Sequence, residues 1–227
     1  MKLKPSAVLV ASSLAIIASA NAQPNLLING SFEDPLVSYQ DNLTGSFSFP
    51  GWTGFSTGSG GDGNAGIVAG VQYGLAPYDG NQLFSFNGNN PPAGTYIEQS
   101  FATTLGSEYT VAFAVGRDGG YPDQTLTLES QIFGSSGQIA VQISQPPSSI
   151  GWSLESFTFI ADSGLSTLQF TDISGSNPNT DLELDAVSVT AVVPEPSTVL
   201  LLLFGVACSA CIGKNLNRRD EPARKKA

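Results

Sequence analysis

Residues 108–116 alternate without a break. Tyr109, Val111, Phe113 and Val115 fall on one side, and Thr110, Ala112 and Ala114 on the other. A period of two puts one face of an extended strand against a core and the other toward solvent. Similar short runs rich in Val, Ile, Phe, Tyr and Thr recur at 25–29, 66–72, 82–86, 95–103, 124–133, 137–143, 153–161, 166–172 and 182–190. Gly, Asn, Asp, Pro and Ser separate them, most densely at 51–64, 88–94, 118–123 and 175–180. No stretch of useful length carries a helical period. The pattern predicts an all-β sandwich, with 51–64 as a long glycine-rich loop.

The two ends of the chain read differently. Lys2 and Lys4 precede an apolar run from Ala7 to Ala18, then Ala20-Asn21-Ala22. This predicts a secretory signal peptide over 1–22, cut before Gln23, with cleavage after Ala20 as the alternative. Near the other end, Pro194-Glu195-Pro196 is followed by an uncharged stretch, 197–213, and then by Lys214, Arg218, Arg219, Arg224, Lys225 and Lys226. The apolar stretch is close to the length needed to cross a bilayer as a helix, and flanking positive charge stays cytoplasmic. On its own this is a C-terminal membrane anchor with a basic cytoplasmic tail over 214–227. Two prolines around one residue also hold an extended strip open to a processing enzyme. The three parts in this order resemble the PEP-CTERM sorting signal of Gram-negative bacteria. That resemblance implies an exosortase as partner, with Pro194, Glu195 and Pro196 as its recognition motif. It also implies release to the cell surface or extracellular matrix after transient anchoring in the inner membrane. The signal peptide adds signal peptidase and the general secretion machinery as partners.

The segment between, 23–193, holds sixteen carboxylates against one arginine, Arg117, a formal charge of −15. Such a surface repels nucleic acid and anionic lipid and suits cations or neutral glycans, besides keeping the chain soluble. It contains no histidine and no cysteine; Cys208 and Cys211 lie in the apolar stretch. Ser-His-Asp and Cys-His catalysis and the usual zinc sites are therefore excluded from this domain. Paired acids are a weak argument for glycoside hydrolysis in so acidic a segment, and none sits in a catalytic context. The expectation is that the protein is not an enzyme.

An ordered set of motifs spans most of 23–193. It runs from Asn25-Leu26-Leu27-Ile28-Asn29-Gly30-Ser31-Phe32-Glu33 and Gly51-Trp52 to Tyr78-Asp79-Gly80-Asn81-Gln82 and Tyr96-Ile97-Glu98-Gln99. Gly151-Trp152 and Asp185-Ala186-Val187-Ser188-Val189 complete it. The set resembles the galactose-binding-like jelly rolls of secreted carbohydrate-binding modules and of a plant cell-wall protein family. In that fold the matching first-strand Glu33 and last-strand Asp185 would hold a structural calcium. Asp185 shares parity with Val187 and Val189, so it is expected to point inward. There it needs either a cation or backbone N–H donors.

Sugars stack their C–H faces on aromatic rings. Tyr73, Tyr78 and Tyr121, at strand ends or in loops, are the glycan-binding candidates, with Arg117 as a planar donor to a hydroxyl or carboxylate. An ion pair of Arg117 with Asp118 or Asp123 is the alternative. Trp52 and Trp152 are expected in the core. The resulting expectation is a non-enzymatic, exported glycan-binding protein associated with extracellular polysaccharide. A structural or adhesive envelope protein without a small ligand is the rival, and a polysaccharide-active enzyme the third reading.

Overall fold

Two six-stranded antiparallel sheets face one another in the computed structural model, which describes residues 23–58, 65–86, 93–119, 124–175 and 180–193. Among these residues the strands are β1 (Gln40–Leu43), β2 (Gly45–Phe49), β3 (Trp52–Ser56), β4 (Ala65–Ala69), β5 (Gln82–Ser85) and β6 (Tyr96–Ala102). They continue with β7 (Glu108–Arg117), β8 (Leu128–Gly134), β9 (Gly137–Ser144), β10 (Gly151–Ile160), β11 (Leu165–Asp172) and β12 (Leu182–Ala191). The first sheet has the order β1-β4-β5-β12-β7-β10 and the second β2-β3-β6-β11-β8-β9. The chain crosses repeatedly between the sheets, so neighbours within each are mostly distant in sequence. No helix occurs among the described residues.

The predicted alternation in β7 holds: Tyr109, Val111, Phe113 and Val115 all enter the core. From the facing sheet come Ile97, Phe101, Ile132, Leu168 and Phe170. Aromatic rings join the layers. Phe113 meets Phe170 edge-on at 5.0 Å, and Trp52 lies 6.4 Å from Phe170 and 5.5 Å from Phe32. Trp52 is buried as expected, and its indole N–H donates to Asn29 O at 3.0 Å. Rings of this size each remove roughly 150–250 Å² from water and dominate the favourable side of folding.

The structure departs from the sequence reading in three places. Segment 25–29 forms no ladder. Leu26 N donates to Val189 O, and side chains do much of the remaining pairing: Asn25 Oδ1 accepts from Val189 N and its Nδ2 donates to Val187 O, while Gln99 pairs with both the N–H and the carbonyl of Ile28. Three strands, β1 to β3, occupy 40–56, where none was predicted, and the supposed loop from 51 begins as strand β3. In β3 the inward positions are Trp52, Gly54 and Ser56. The small residues hide the alternation, yet they are needed: a Cβ on Gly54 would come within 2.3 Å of Tyr96 O and 2.7 Å of the Phe47 ring. Finally, β12 carries a bulge. Its register on β7 shifts between Asp185 and Ser188, with Ala186 at φ 51°. Leu182 and Leu184 point inward before the bulge, Val187 and Val189 after it. The extra residue inverts parity, so Asp185 is on the outer face of the sheet, contrary to the inward expectation.

Candidate functional site

The outer face of the first sheet gathers most of the chemistry. In Asp181-Leu182-Glu183-Leu184-Asp185 the leucines enter the core, so the three acids share the opposite face. Glu183 sits across from Ser85 on β5 and from Gly116 on β7, and Gly116 sits across from Trp152 on β10. One row therefore reads Ser85, Glu183, Gly116, Trp152. Gly116 has no side chain because the indole takes its place: a Cβ there would be 2.6 Å from the Trp152 ring. The Trp152 N–H donates to Ala76 O at 2.9 Å, and Tyr78 meets the indole edge-on at 6.1 Å.

Trp152 is thus half-buried on the outside of the sandwich and not in the core, correcting the sequence expectation. The signal was present. Phe157 and Phe159 have odd parity on β10 and pack on the core, whereas Trp152 has even parity with the exposed Leu154.

The segment leading into β5 crosses this face. Its turn at Tyr73 and Gly74 is closed by backbone bonds between Gln72 and Leu75, and Gly74 lies against the side chain of Ile150. Tyr73 is 73% exposed and Tyr78 47%. Of the four predicted glycan residues, the fold brings Tyr78 to the flank of Trp152, and Tyr73 lies exposed in the turn whose Gly74 abuts Ile150. A third is corrected: Arg117 is buried, with its Nε donating to Pro147 O at 2.8 Å and its Nη2 to Gln124 O. Burial lowers its pKa, and the N–H groups described donate to carbonyls, which withdraws it from the exposed surface. Tyr121, the fourth, lies outside the described residues. So do the signal peptide 1–22, the motif Pro194, Glu195 and Pro196, the predicted span 197–213 and the tail 214–227.

Glu33 and Asp185 hold one peptide turn between them. Asp185 Oδ2 accepts from Tyr78 N at 2.8 Å and Asp79 N at 2.9 Å, and its Oδ1 from Ala186 N. Glu33 Oε1 accepts from Asn81 N at 2.7 Å and Gln82 N at 2.8 Å. Gly80 sits between the two pairs at φ 69°, where a Cβ would strike Glu33 Oε1 at 2.3 Å. Only glycine tolerates both the left-handed backbone and that approach. Burial pushes the Asp185 carboxyl up to about 7, against the pull of these N–H groups. The expected calcium does not fit this pair. The positive ends of four N–H dipoles already converge on Glu33 Oε1 and Asp185 Oδ2 and do for these carboxylates what an ion would do.

A second acidic group was not predicted. One carboxylate oxygen from each of Asp118, Asp181 and Glu183 lies within 4.8 Å of the others. Asp118 and Asp181 are joined through the backbone: Asp181 N donates to Asp118 Oδ1 at 2.9 Å, and Asp118 N to Asp181 O at 3.3 Å. Burial pushes Asp118 up to about 6. Burial and the charges of Asp118 and Asp172 push Asp181 up to about 8. Glu183 is raised well above the carboxylate range by burial, then by Asp118 and Asp181. The acid–leucine alternation of 181–185 marks the shared face in sequence, but Asp118 joins it only through the β7–β12 register.

Comparison with known proteins gives the following likenesses. Residues 80–189 match a family described as a protein of unknown function, DUF642. Halomucin of Haloquadratum walsbyi (strain DSM 16790 / HBSQ001) is 30% identical over 192 residues, covering 80% of this chain and 2% of halomucin. The chain thus spans a small fraction of that relative's length. Among solved structures, TmCBM61 in complex with β-1,4-galactotriose aligns with a TM-score of 0.48 and 14% identity, over 74% of this chain and 99% of that one. A CBM4 structure aligns with a TM-score of 0.47 and 16% identity, over 73% and 99%.

Proposed function

We propose that this chain is an exported, non-enzymatic glycan-binding protein, and that Tyr73, Tyr78 and Trp152 form its sugar platform. The observation that carries this reading is the Tyr78–Trp152 ring pair, standing outside the sandwich on a sheet row cleared by Gly116. An indole laid on glycine and tied to Ala76 O is held in place before any ligand arrives. Exposed Tyr73 and Ile150, on the turn and the strand approach next to this ring pair, add apolar surface. Neutral polymers suit this surface, because the segment's charge of −15 repels anionic ones.

The test is retention of the full chain in gels cast with a panel of neutral and acidic polysaccharides. Saturable retardation by at least one neutral polymer is expected, weakened about tenfold or more in Tyr78→Ala and in Trp152→Ala. No retardation by any polymer, or unchanged retardation in both variants, would sink the platform.

Delivery follows from the chain ends: export by the signal peptide, brief anchoring by 197–213, and processing by an exosortase at Pro194-Glu195-Pro196. In cells with an exosortase, Glu195→Ala is expected to keep the C-terminal segment, read as a larger mass in the membrane fraction. An unchanged mass and location would leave a plain membrane anchor.

A further inference from the structure

The Asp118, Asp181 and Glu183 group lies apart from the turn held by Glu33 and Asp185. Its side chains are poorly accounted for by their own partners. Glu183 is 1% exposed; its Oε1 receives Ser85 Oγ at 3.2 Å, and its carboxyl is within hydrogen-bonding reach of the like-charged Asp118. Its Oε2 is buried with no hydrogen-bond partner among the described residues, and so is Asp181 Oδ1. A buried carboxylate oxygen that no donor reaches is costly and calls for a cation or a proton. Two neutral oxygens nearby in the chain are in the same condition. Thr180 Oγ1, one residue before Asp181, is buried and unpartnered, and so is Gln124 Oε1, whose own backbone carbonyl takes the Arg117 Nη2.

The donor set selects among metals. Every candidate ligand is a hard oxygen, and the chain holds no histidine. Zinc and copper prefer nitrogen and sulfur, and magnesium demands a small, regular octahedron. Calcium accepts irregular shells of carboxylate, carbonyl and hydroxyl oxygens.

We propose that Asp118, Asp181 and Glu183 form a calcium site that ties the end of β7 to the start of β12. A divalent ion there neutralises three converging carboxylates and supplies Glu183 Oε2 and Asp181 Oδ1 with a partner. It also fixes the strand ends that carry Gly116 and Glu183, which share a row with Trp152.

The experiment takes the full chain stripped with a chelator and titrates it with calcium chloride, reading heat and thermal midpoint. One saturable site is expected, with a Kd below about 1 mM, and a midpoint raised by roughly 5–10 °C at about a hundredfold excess over Kd. Glu183→Gln keeps the shape and removes the charge. It is expected to unfold, without calcium, at or above the wild-type temperature and to bind calcium at least tenfold more weakly. Glu33→Gln is expected to keep the wild-type calcium response. Terbium binding to the wild type, excited through tryptophan and displaced by calcium, gives a reading independent of whether a variant folds. The proposal is overturned by any of four results. These are no calcium-dependent signal up to about 10 mM, beyond the range of weak extracellular sites; no displaceable terbium signal; undiminished binding in Glu183→Gln; or loss of binding in Glu33→Gln instead.

Discussion

The two outer faces of this sandwich are built from strands of the same kind and differ in almost everything placed on them. On the second sheet, Thr53, Glu98, Gln169 and Gln131 follow one another across β3, β6, β11 and β8. Gln169 donates to Glu98 Oε2 at 2.8 Å, and Ser100 and Thr167 share a hydroxyl hydrogen bond, also at 2.8 Å. This is a solvated polar face whose pairs lie side by side. On the first sheet, the corresponding row of Ser85, Glu183, Gly116 and Trp152 is overlain by the 70–82 segment and holds buried acids and an indole. Water solvates the first kind of face, so each side chain is nearly independent. Chain covers the second, so each polar group must find a partner in the protein, and removing one strands another.

The largest effect that would sharpen this contrast is expected from Asp185→Ala. It leaves Tyr78 N, Asp79 N and Ala186 N without their acceptor, and the turn over the first sheet loses one of its two holds. Destabilisation of about 3 kcal/mol is expected in urea unfolding. A loss under 1 kcal/mol would mean that water reaches the turn and that the two faces are not so different.

Gly116→Ala comes next. The added methyl must displace the indole, with a cost of about 1–3 kcal/mol. Tryptophan emission should shift to the red as Trp152 gains water, and polysaccharide retention should fall with it. Unchanged emission would show that the ring can move aside without loss, contradicting its fixed seat.

On the second sheet, Thr167→Ala removes one side of the Ser100 pair in solvent. A change within about 0.5 kcal/mol is expected. A cost equal to that of Gly116→Ala would break the comparison outright.

The smallest effect belongs to Asp162, exposed beside the β8–β9 turn. It accepts from Ser135 N at 3.0 Å and from the N–H and hydroxyl of Ser136. These bonds, the Ser136 hydroxyl foremost, lower its pKa to about 2. A carboxylate depressed in the folded state stabilises above its unfolded pKa of about 3.9, and that contribution fades as pH falls through the folded value. Asp162→Asn should therefore be slightly less stable than the wild type at pH 6, with the gap closing between about pH 4 and pH 2. A gap that persists at pH 2 would assign the effect to packing rather than charge.

Nine of the predicted strands survive with shifted ends: most carry an alternation that adjacent residues suffice to show, and β4 and β5, buried at successive positions, show as short apolar runs. β2 alternates as well, as Ser46-Phe47-Ser48-Phe49, so the period is hidden only in β1 and β3. In β3 the inward positions after Trp52 are Gly54 and Ser56, and Gly54 is kept small by Tyr96 O and the Phe47 ring. Tyr73 and Tyr78 are legible as loop aromatics, whereas the outward place of Trp152 shows only in its parity on β10, shared with the exposed Leu154. Arg117 looked available because it is the sole cation of 23–193, and burial removed it.

What the amino-acid sequence determined by itself is local: which residues face inward along each run, where glycine and asparagine break the runs, and that an acidic segment without histidine must rely on oxygen chemistry. What only the tertiary structure decided is which of those acids meet. Asp185 finds its donors over a hundred residues away, at Tyr78 and Asp79, and Glu183 meets Asp118 through the β7–β12 register. A single extra residue at Ala186 turns Asp185 from the core to the outer face. Alternation is a property of neighbouring backbone units. Register, bulges and the cover of a distant loop are properties of the whole sandwich, set by the joint packing of both sheets.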